Sequence, residues 1–272
     1  MSSVKPAIDS AISDEITFSF GENWSDYVAN VSEDAIRSAR SDIEEWLGAS
    51  TVAGKNILDI GCGSGIHSLC YYQLGAKNIV SMDVDPKSVE ATRVMWERAG
   101  RPENWRITHG SVLDPDFIGG LGQHDIVYSW GVLHHTGAMW EAIANASSRV
   151  ARGGLFWIAL YVKGPKYAEH LALKQKYNRA SRLEKKIMVW KYIAGVMRDR
   201  RRAGLNPLKW NEKDGRGMDV YHDIIDWLGG LPYEVASKEE VVDFCGTRGF
   251  VLERVKENPE GGNNIYLFSL PA

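Results

Sequence analysis

The sequence predicts an α/β protein, an open and mostly parallel sheet with helices on both faces. Three observations predict it. The apolar run 57–60, Ile57-Leu58-Asp59-Ile60, ends in glycines at alternate positions, Gly61, Gly63 and Gly65, and a helix-like segment opens at Ile66. Four more short runs of strand character, at 78–83, 105–109, 125–129 and 155–161, alternate with segments of helical period. Two alternating runs, 250–256 and 264–270, close the chain around the turn sequence NPEGGN, so the sheet should finish in an antiparallel hairpin. Together these make a Rossmann-like sheet of seven strands.

Composition bounds the class. The chain has 272 residues, room for one large domain or a domain with a cap. Its 44% apolar and 25% charged residues are ordinary for a soluble globular protein. No apolar run is long enough to span a bilayer, and the N-terminus has neither the basic nor the apolar region of a signal peptide. Cys62, Cys70 and Cys245 are scattered without metal-ligand spacing, so no metal is expected and a reduced, cytoplasmic location is. The net charge of -3 hides an asymmetry: 163–215 holds 15 Lys/Arg against 5 Asp/Glu.

The first elements follow in order. Residues 1–19 read as loosely ordered. FGENWSDY precedes a helix over 32–47, with Glu33 and Asp34 in its first turn and Ile36, Ile43, Trp46 and Leu47 on its apolar face. The glycines after the first strand let the backbone turn sharply and approach a ligand with no Cβ in the way. The helix that follows, over 65–74, presents free N–H groups there. The spacing D-x-G-x-G-x-G is tighter than the dinucleotide G-x-G-x-x-G. An acid beside the loop, Asp59, suits a ligand with a cationic end and is a poor neighbour for pyrophosphate. The second strand ends in another acid, Asp83, placed to take the two hydroxyls of a ribose.

At these residues the sequence resembles the class I S-adenosylmethionine-dependent methyltransferases, small-molecule branch: LDIGCGSG is similar to their first motif and VSMDVDP to their second. The resemblance covers about 56–160 and the two closing strands. It implies that Asp59 and the loop Gly61, Cys62, Gly63 and Gly65 hold the methionine end of the cofactor. Asp83 would hold the ribose. Ser111 and the backbone of Val112 would edge the adenine, although an acid is usual where Ser111 stands.

Asp85-Pro86 starts a helix over 87–99. The strand at 125–129 runs into WGVLHHT, so Trp130, His134 and His135 leave the carboxyl end of the sheet, where ligands bind in such folds. VLHH at this place fits the small-molecule branch. The tetrapeptide of the DNA-methylating branch is absent, and no DNA partner is expected. His134 is a candidate base or a loop-holding histidine; His135 is structural or cofactor-facing. A helix spans 140–150, and Arg152-Gly153-Gly154 is a turn before the fifth strand, whose Tyr161 would line a substrate pocket.

In the resembled plan a helix and two strands come next, but about seventy residues intervene. This basic insertion reads as helices over 167–177, 183–197 and 198–203, with Leu171, Leu183, Ile187, Trp190 and Ile193 as its apolar face. It should form a lid over the reactive end of the cofactor. RGMDVYHDIIDWLGGLPYEVAS then clusters Arg216, His222, Asp223, Asp226 and Trp227, similar to a stretch in methyltransferases of carbohydrate and natural-product gene clusters. His222 with Asp223 is either a charge pair that serves as a base or a cap on the helix that holds Trp227. Ser237 with Glu240 is a capping box opening a helix over 237–248.

The expected organisation is a covering segment at 1–50, a cofactor-binding core at 51–162, a basic cap at 163–236 and a closing unit at 237–272. The expected reaction is methyl transfer from S-adenosylmethionine by in-line displacement, with the protein supplying alignment and a dry pocket. Candidate bases are His134, His222 with Asp223, and His170. Trp24, Tyr27, Tyr161, Arg216 and Trp227 are candidate substrate contacts. The basic cap suggests a small anionic metabolite or glycan. A solvated helix end at 198–202, a membrane-associated isoprenoid or lipid acceptor, RNA, and a cofactor-binding protein with other chemistry remain open, as do monomer and homodimer.

Overall fold

The computed structural model describes residues 20–211, 219–258 and 262–272. The expectation of loose order over 1–19, and Arg216, lie outside the described residues.

Helices α1 (Phe20–Ala29), α2 (Glu33–Leu47) and the short α3 (Ala49–Val52) precede β1 (Asn56–Ile60). Then come α4 (Ile66–Gln73), β2 (Asn78–Asp83), α5 (Pro86–Arg98), β3 (Trp105–His109), α6 (Pro115–Gly120), β4 (His124–Trp130), α7 (Met139–Ser147) and β5 (Val150–Tyr161). The cap holds α8 (Tyr167–Arg179), α9 (Arg182–Arg202) and α10 (Val220–Gly229), and the chain closes with α11 (Lys238–Gly246), β6 (Val251–Lys256) and β7 (Asn263–Ser269). The seven strands lie in the order β3-β2-β1-β4-β5-β7-β6, with only the β7 pairings antiparallel. The expected sheet and hairpin are therefore present.

The strands bury both faces because successive side chains point opposite ways. Ile57, Ile126, Tyr128 and Trp157 pack under α1, α2, α4 and α5. Leu58, Ile60, Val127 and Phe156 pack under α6, α7 and α11. Ser32 caps α2, accepting from the Ala35 N–H, Asp85 caps α5, and Ser237 with Glu240 completes the capping box of α11.

Three expectations need correction. The turn at Arg152-Gly153-Gly154 is absorbed into β5, which starts at Val150; Gly153 takes φ 74° and the pairing with β4 slips between His124 and Ile126. The two basic helices are one, opened by a second capping box at Ser181 and Glu184. Their apolar face is also misassigned in part, although Ile193 is buried as expected. Val189 and Ile193 are buried against Tyr177, Ile224 and Leu228, whereas Leu183, Ile187 and Trp190 are exposed.

Lys174 of α8 ties the cap to the sheet. It is fully buried, donates to the Trp227 carbonyl, and lies 5.2, 4.9 and 4.8 Å from the ring centres of Tyr161, Trp227 and Tyr233. Burial pulls its pKa from the usual 10.5 to about 7, against the pull of Asp226. The unfolded chain then binds the proton more tightly, so this residue makes stability rise with pH between about 7 and 10.5. Lys174→Met should be at least as stable as the parent near pH 7, and its advantage should shrink toward pH 10. Thermal melts across that range would show it; parallel curves would contradict it.

Candidate functional site

Beyond the carboxyl ends of β1, β2 and β4 lies a cavity of about 900 Å³. Its floor is the glycine loop. Gly61, Gly63 and Gly65 adopt φ of 73°, 52° and 75°, values that favour glycine. The Gly61 and Cys62 N–H groups donate to the Met82 carbonyl at 2.8 and 3.0 Å. A Cβ on Gly63 would sit 2.9 Å from the Trp24 indole nitrogen. Gly65 does not line the cavity; it starts α4, and a Cβ there would sit 2.8 Å from the Thr92 Cα.

Two buried carboxylates flank the loop. Asp83 accepts from the Gly63 N–H at 3.0 Å and the Asp85 N–H at 2.9 Å. Burial raises its pKa to about 6, although these two bonds favour the charged form. Asp59 accepts from the Ser68 hydroxyl at 2.5 Å, and Ser68 meets Ser81, which accepts from the Trp105 indole N–H at 2.8 Å. Burial pushes Asp59 to about 7, against the Ser68 bond. The serine chain was not anticipated, because Ser68 and Ser81 read as ordinary polar residues in a helix and a strand.

Cys62, Ser111, Val112 and Trp130 also line the cavity. Cys62 is buried with its thiol pushed well up by burial, so it fills the tight turn as a small residue rather than serving as a nucleophile. The Ser111 hydroxyl accepts from the Leu113 N–H at 3.1 Å, and Asp114 caps α6.

Trp24, Tyr27, Tyr161, Trp227 and Asp223 line the same cavity. So do Phe20, His135, Tyr192 and Asp226. The sequence signal for Asp226 was its place in the HDIIDW cluster; Tyr192 gave none, because its helix face was misassigned. Helix α1 crosses the cavity like a strap. Its Gly21 N–H donates to Asp85 at 2.9 Å, and its Asn23 amide donates to Asp226 at 2.7 Å.

Three candidate bases are not brought to the cavity. His134 is fully buried beneath it; Nδ1 accepts from the Tyr161 N–H at 3.2 Å, and burial holds its pKa well below the usual value. That is the loop-holding role. His222 pairs with Asp219 at 2.8 Å and Asp26 at 3.2 Å rather than with Asp223, and these acids raise its pKa against the cost of burial. His170 packs against Trp227, outside the lining. The neighbouring His135 does face the cavity. Its Nδ1 lies 2.6 Å from the Pro232 carbonyl, which can only accept, so Nδ1 carries the proton and Nε2 the lone pair. Burial and the Lys174 charge pull its pKa to about 3.

A family model described as a methyltransferase domain matches residues 57–154. The ribosomal protein L11 methyltransferase of Photobacterium profundum is 43% identical over 56 residues, 21% of this chain and 19% of its own. That of Marinobacter nauticus is 42% identical over 72 residues, 26% and 24% of the two chains. The matches thus span about a fifth to a quarter of these relatives' length. Among solved structures, an O-methyltransferase family protein from Burkholderia thailandensis has TM-score 0.58 at 12% identity, over 93% of this chain and 60% of that one. Magnesium protoporphyrin IX methyltransferase from Synechocystis PCC 6803, with bound SAH, has TM-score 0.55 at 16% identity, over 93% and 95%. These two likenesses show the fold. Residues 57–154 of this chain thus match a methyltransferase domain, set in the fold of the class I, S-adenosylmethionine-dependent methyltransferases.

The donor set fits that cofactor. Among the described residues the cavity wall carries Asp59, Asp83 and Asp85 by the loop and neither Lys nor Arg, which suits a sulfonium, an ammonium and a ribose and disfavours pyrophosphate. Asp59 must be ionised to hold a cation. Affinity for S-adenosylhomocysteine should therefore fall as pH drops below about 7, toward tenfold per unit, with Asp83 adding its own loss below about 6. Asp59→Asn should flatten the upper part of that profile. Quenching of tryptophan fluorescence, read at a series of pH values, measures it; a level profile for the unmodified protein would contradict the assignment.

Proposed function

We propose that this protein transfers a methyl group from S-adenosylmethionine to a small molecule held between the glycine loop and the cap. The observation that carries this reading is the continuity of one cavity from Asp59 and Asp83 to Tyr161, Tyr192, Asp223 and Trp227. The bound cofactor supplies an activated methyl on sulfur. Asp59 and the loop would hold its methionine end, Asp83 its ribose, and Ser111 with Val112 its adenine. Trp24 and the α1 strap would exclude water over the loop. The segment 163–236 acts in this reading as the substrate lid.

The histidine role passes from His134 to His135. His135 stays neutral at ordinary pH, so its Nε2 lone pair would accept a hydrogen bond from a hydroxyl on the acceptor. It would orient that group by a hydrogen bond and receive its proton as the group becomes acidic on methylation. The acceptor we favour has a flat apolar body, because Phe20, Tyr161, Tyr192 and Trp227 line the cavity together with Val220, Ile224 and Leu231. The anionic acceptor expected from the basic cap finds no partner on the described wall, where the charged groups at the cap end are Asp223 and Asp226.

The test is label transfer from methyl-labelled S-adenosylmethionine into a metabolite extract, followed by identification of the labelled product. His135→Ala should lower turnover by about 10²–10⁴-fold and leave cofactor affinity nearly unchanged. A protein that binds the cofactor but passes label to nothing would reject methyl transfer. Full turnover in the variant would reject the histidine role.

A further inference from the structure

Helix α9 has two apolar faces, one packed into the cap and one largely exposed. The inner face, Val189 and Ile193 with Tyr192, packs into the cap and toward the cavity. The outer face carries Leu183, Ile187 and Trp190 at spacings of four and three, on one stripe, with exposures of 69%, 47% and 62%. The chain after the helix continues the patch with Leu205 and Leu208, exposed by 54% and 77%. Trp210 packs 6.5 Å from Trp190 and joins the two parts. Exposed apolar patches of this kind mark interaction sites.

The charge around the stripe identifies the partner. Residues 182–211 hold nine Lys/Arg against two Asp/Glu, while the whole chain is at -3, so the rest of the molecule is strongly acidic. Lys186 and Lys191 lie on either side of the stripe, and Arg198, Arg201 and Arg202 extend it toward the helix end. Asp199 offsets part of this through exposed pairs with Arg198 and Arg202 at 3.2 and 3.8 Å. An apolar stripe flanked by basic residues suits a helix lying in the plane of an interface.

We propose that the outer face of α9 and residues 205–210 dock on an anionic lipid bilayer. Three arguments favour this occupant. Leu183, Ile187, Trp190 and Leu208 would be buried among acyl chains, which a nucleic-acid phosphate backbone does not offer. A second copy of this face would bring like charges together. The acidic remainder of the chain would be repelled by the same lipids, which fixes the orientation. Docked in this way, the Tyr192 side of the cavity lies about one helix diameter, roughly 10–12 Å, from the lipid headgroups. The docking does not depend on the reaction assigned to the cavity.

The experiment is co-sedimentation of the full chain with vesicles of phosphatidylcholine alone or mixed with an equal part of phosphatidylglycerol. Binding is expected to the mixed vesicles and to weaken with salt, with little on phosphatidylcholine. The variant with Arg198→Ser, Arg201→Ser and Arg202→Ser should bind on the order of 100-fold more weakly. The pair Trp190→Ser and Leu208→Ser should lose at least about tenfold. All five side chains are exposed, so both variants should keep the parent's circular dichroism and cofactor affinity. No binding to mixed vesicles at low salt would overturn the proposal. So would binding that both variants retain, tighter binding to a DNA duplex, or a dimer in solution that the same substitutions dissolve.

Discussion

The carboxylate of Asp83 is the point on which the site turns. It takes the Gly63 N–H from the loop after β1 and the Asp85 N–H from the loop after β2. One buried charge therefore sets the distance between two strand ends and the shape of the turn between them. Asp85 continues the chain of contacts, capping α5 and taking the Gly21 N–H of α1. Asn23, two residues on, reaches Asp226 of α10. A ligand with a cationic end and two hydroxyls would meet groups that are already fixed, and α10 is tied to the same frame. That is the preorganisation a displacement reaction needs from its protein.

The core was legible because local and global signals agree there. The run 57–60 could bury both faces only as a central strand, Asp85-Pro86 could only open a helix, and Ser237 with Glu240 could only cap one. The loop glycines were legible for the same reason: φ values above 50° admit few other residues. The cap was less legible. Helix α9 is apolar on two faces, so periodicity mixed them: it chose Ile193 with Leu183, Ile187 and Trp190 and missed Val189 and Tyr192. Which stripe faces inward depends on α8 and α10, which the sequence of α9 does not contain.

The histidines carry the same lesson. His134 and His135 are adjacent, and only the direction of a single turn decides which reaches the cavity. His134 points into the protein because the Tyr161 N–H needs an acceptor there. His222 and Asp223 are adjacent on a helix and so point apart; the true partner of His222 is Asp219, one turn earlier. Sequence proximity suggested the His222–Asp223 pairing, and helix geometry decided against it. The basic charge of the cap was visible from composition, but its direction was not: among the described residues none of it lines the cavity, and apart from the buried Lys174 it lies toward the outside.

The domain assignment and the acid-lined floor lead to one requirement: the loop between β1 and α4 must accept an adenosyl sulfonium and refuse a pyrophosphate. Calorimetric titration of the purified chain with S-adenosylmethionine, and in parallel with a nicotinamide dinucleotide, tests it most directly. Saturable heat for the sulfonium at one site per chain, with none for the dinucleotide, is the expected result. Silence with the first, or ready binding of the second, would contradict it.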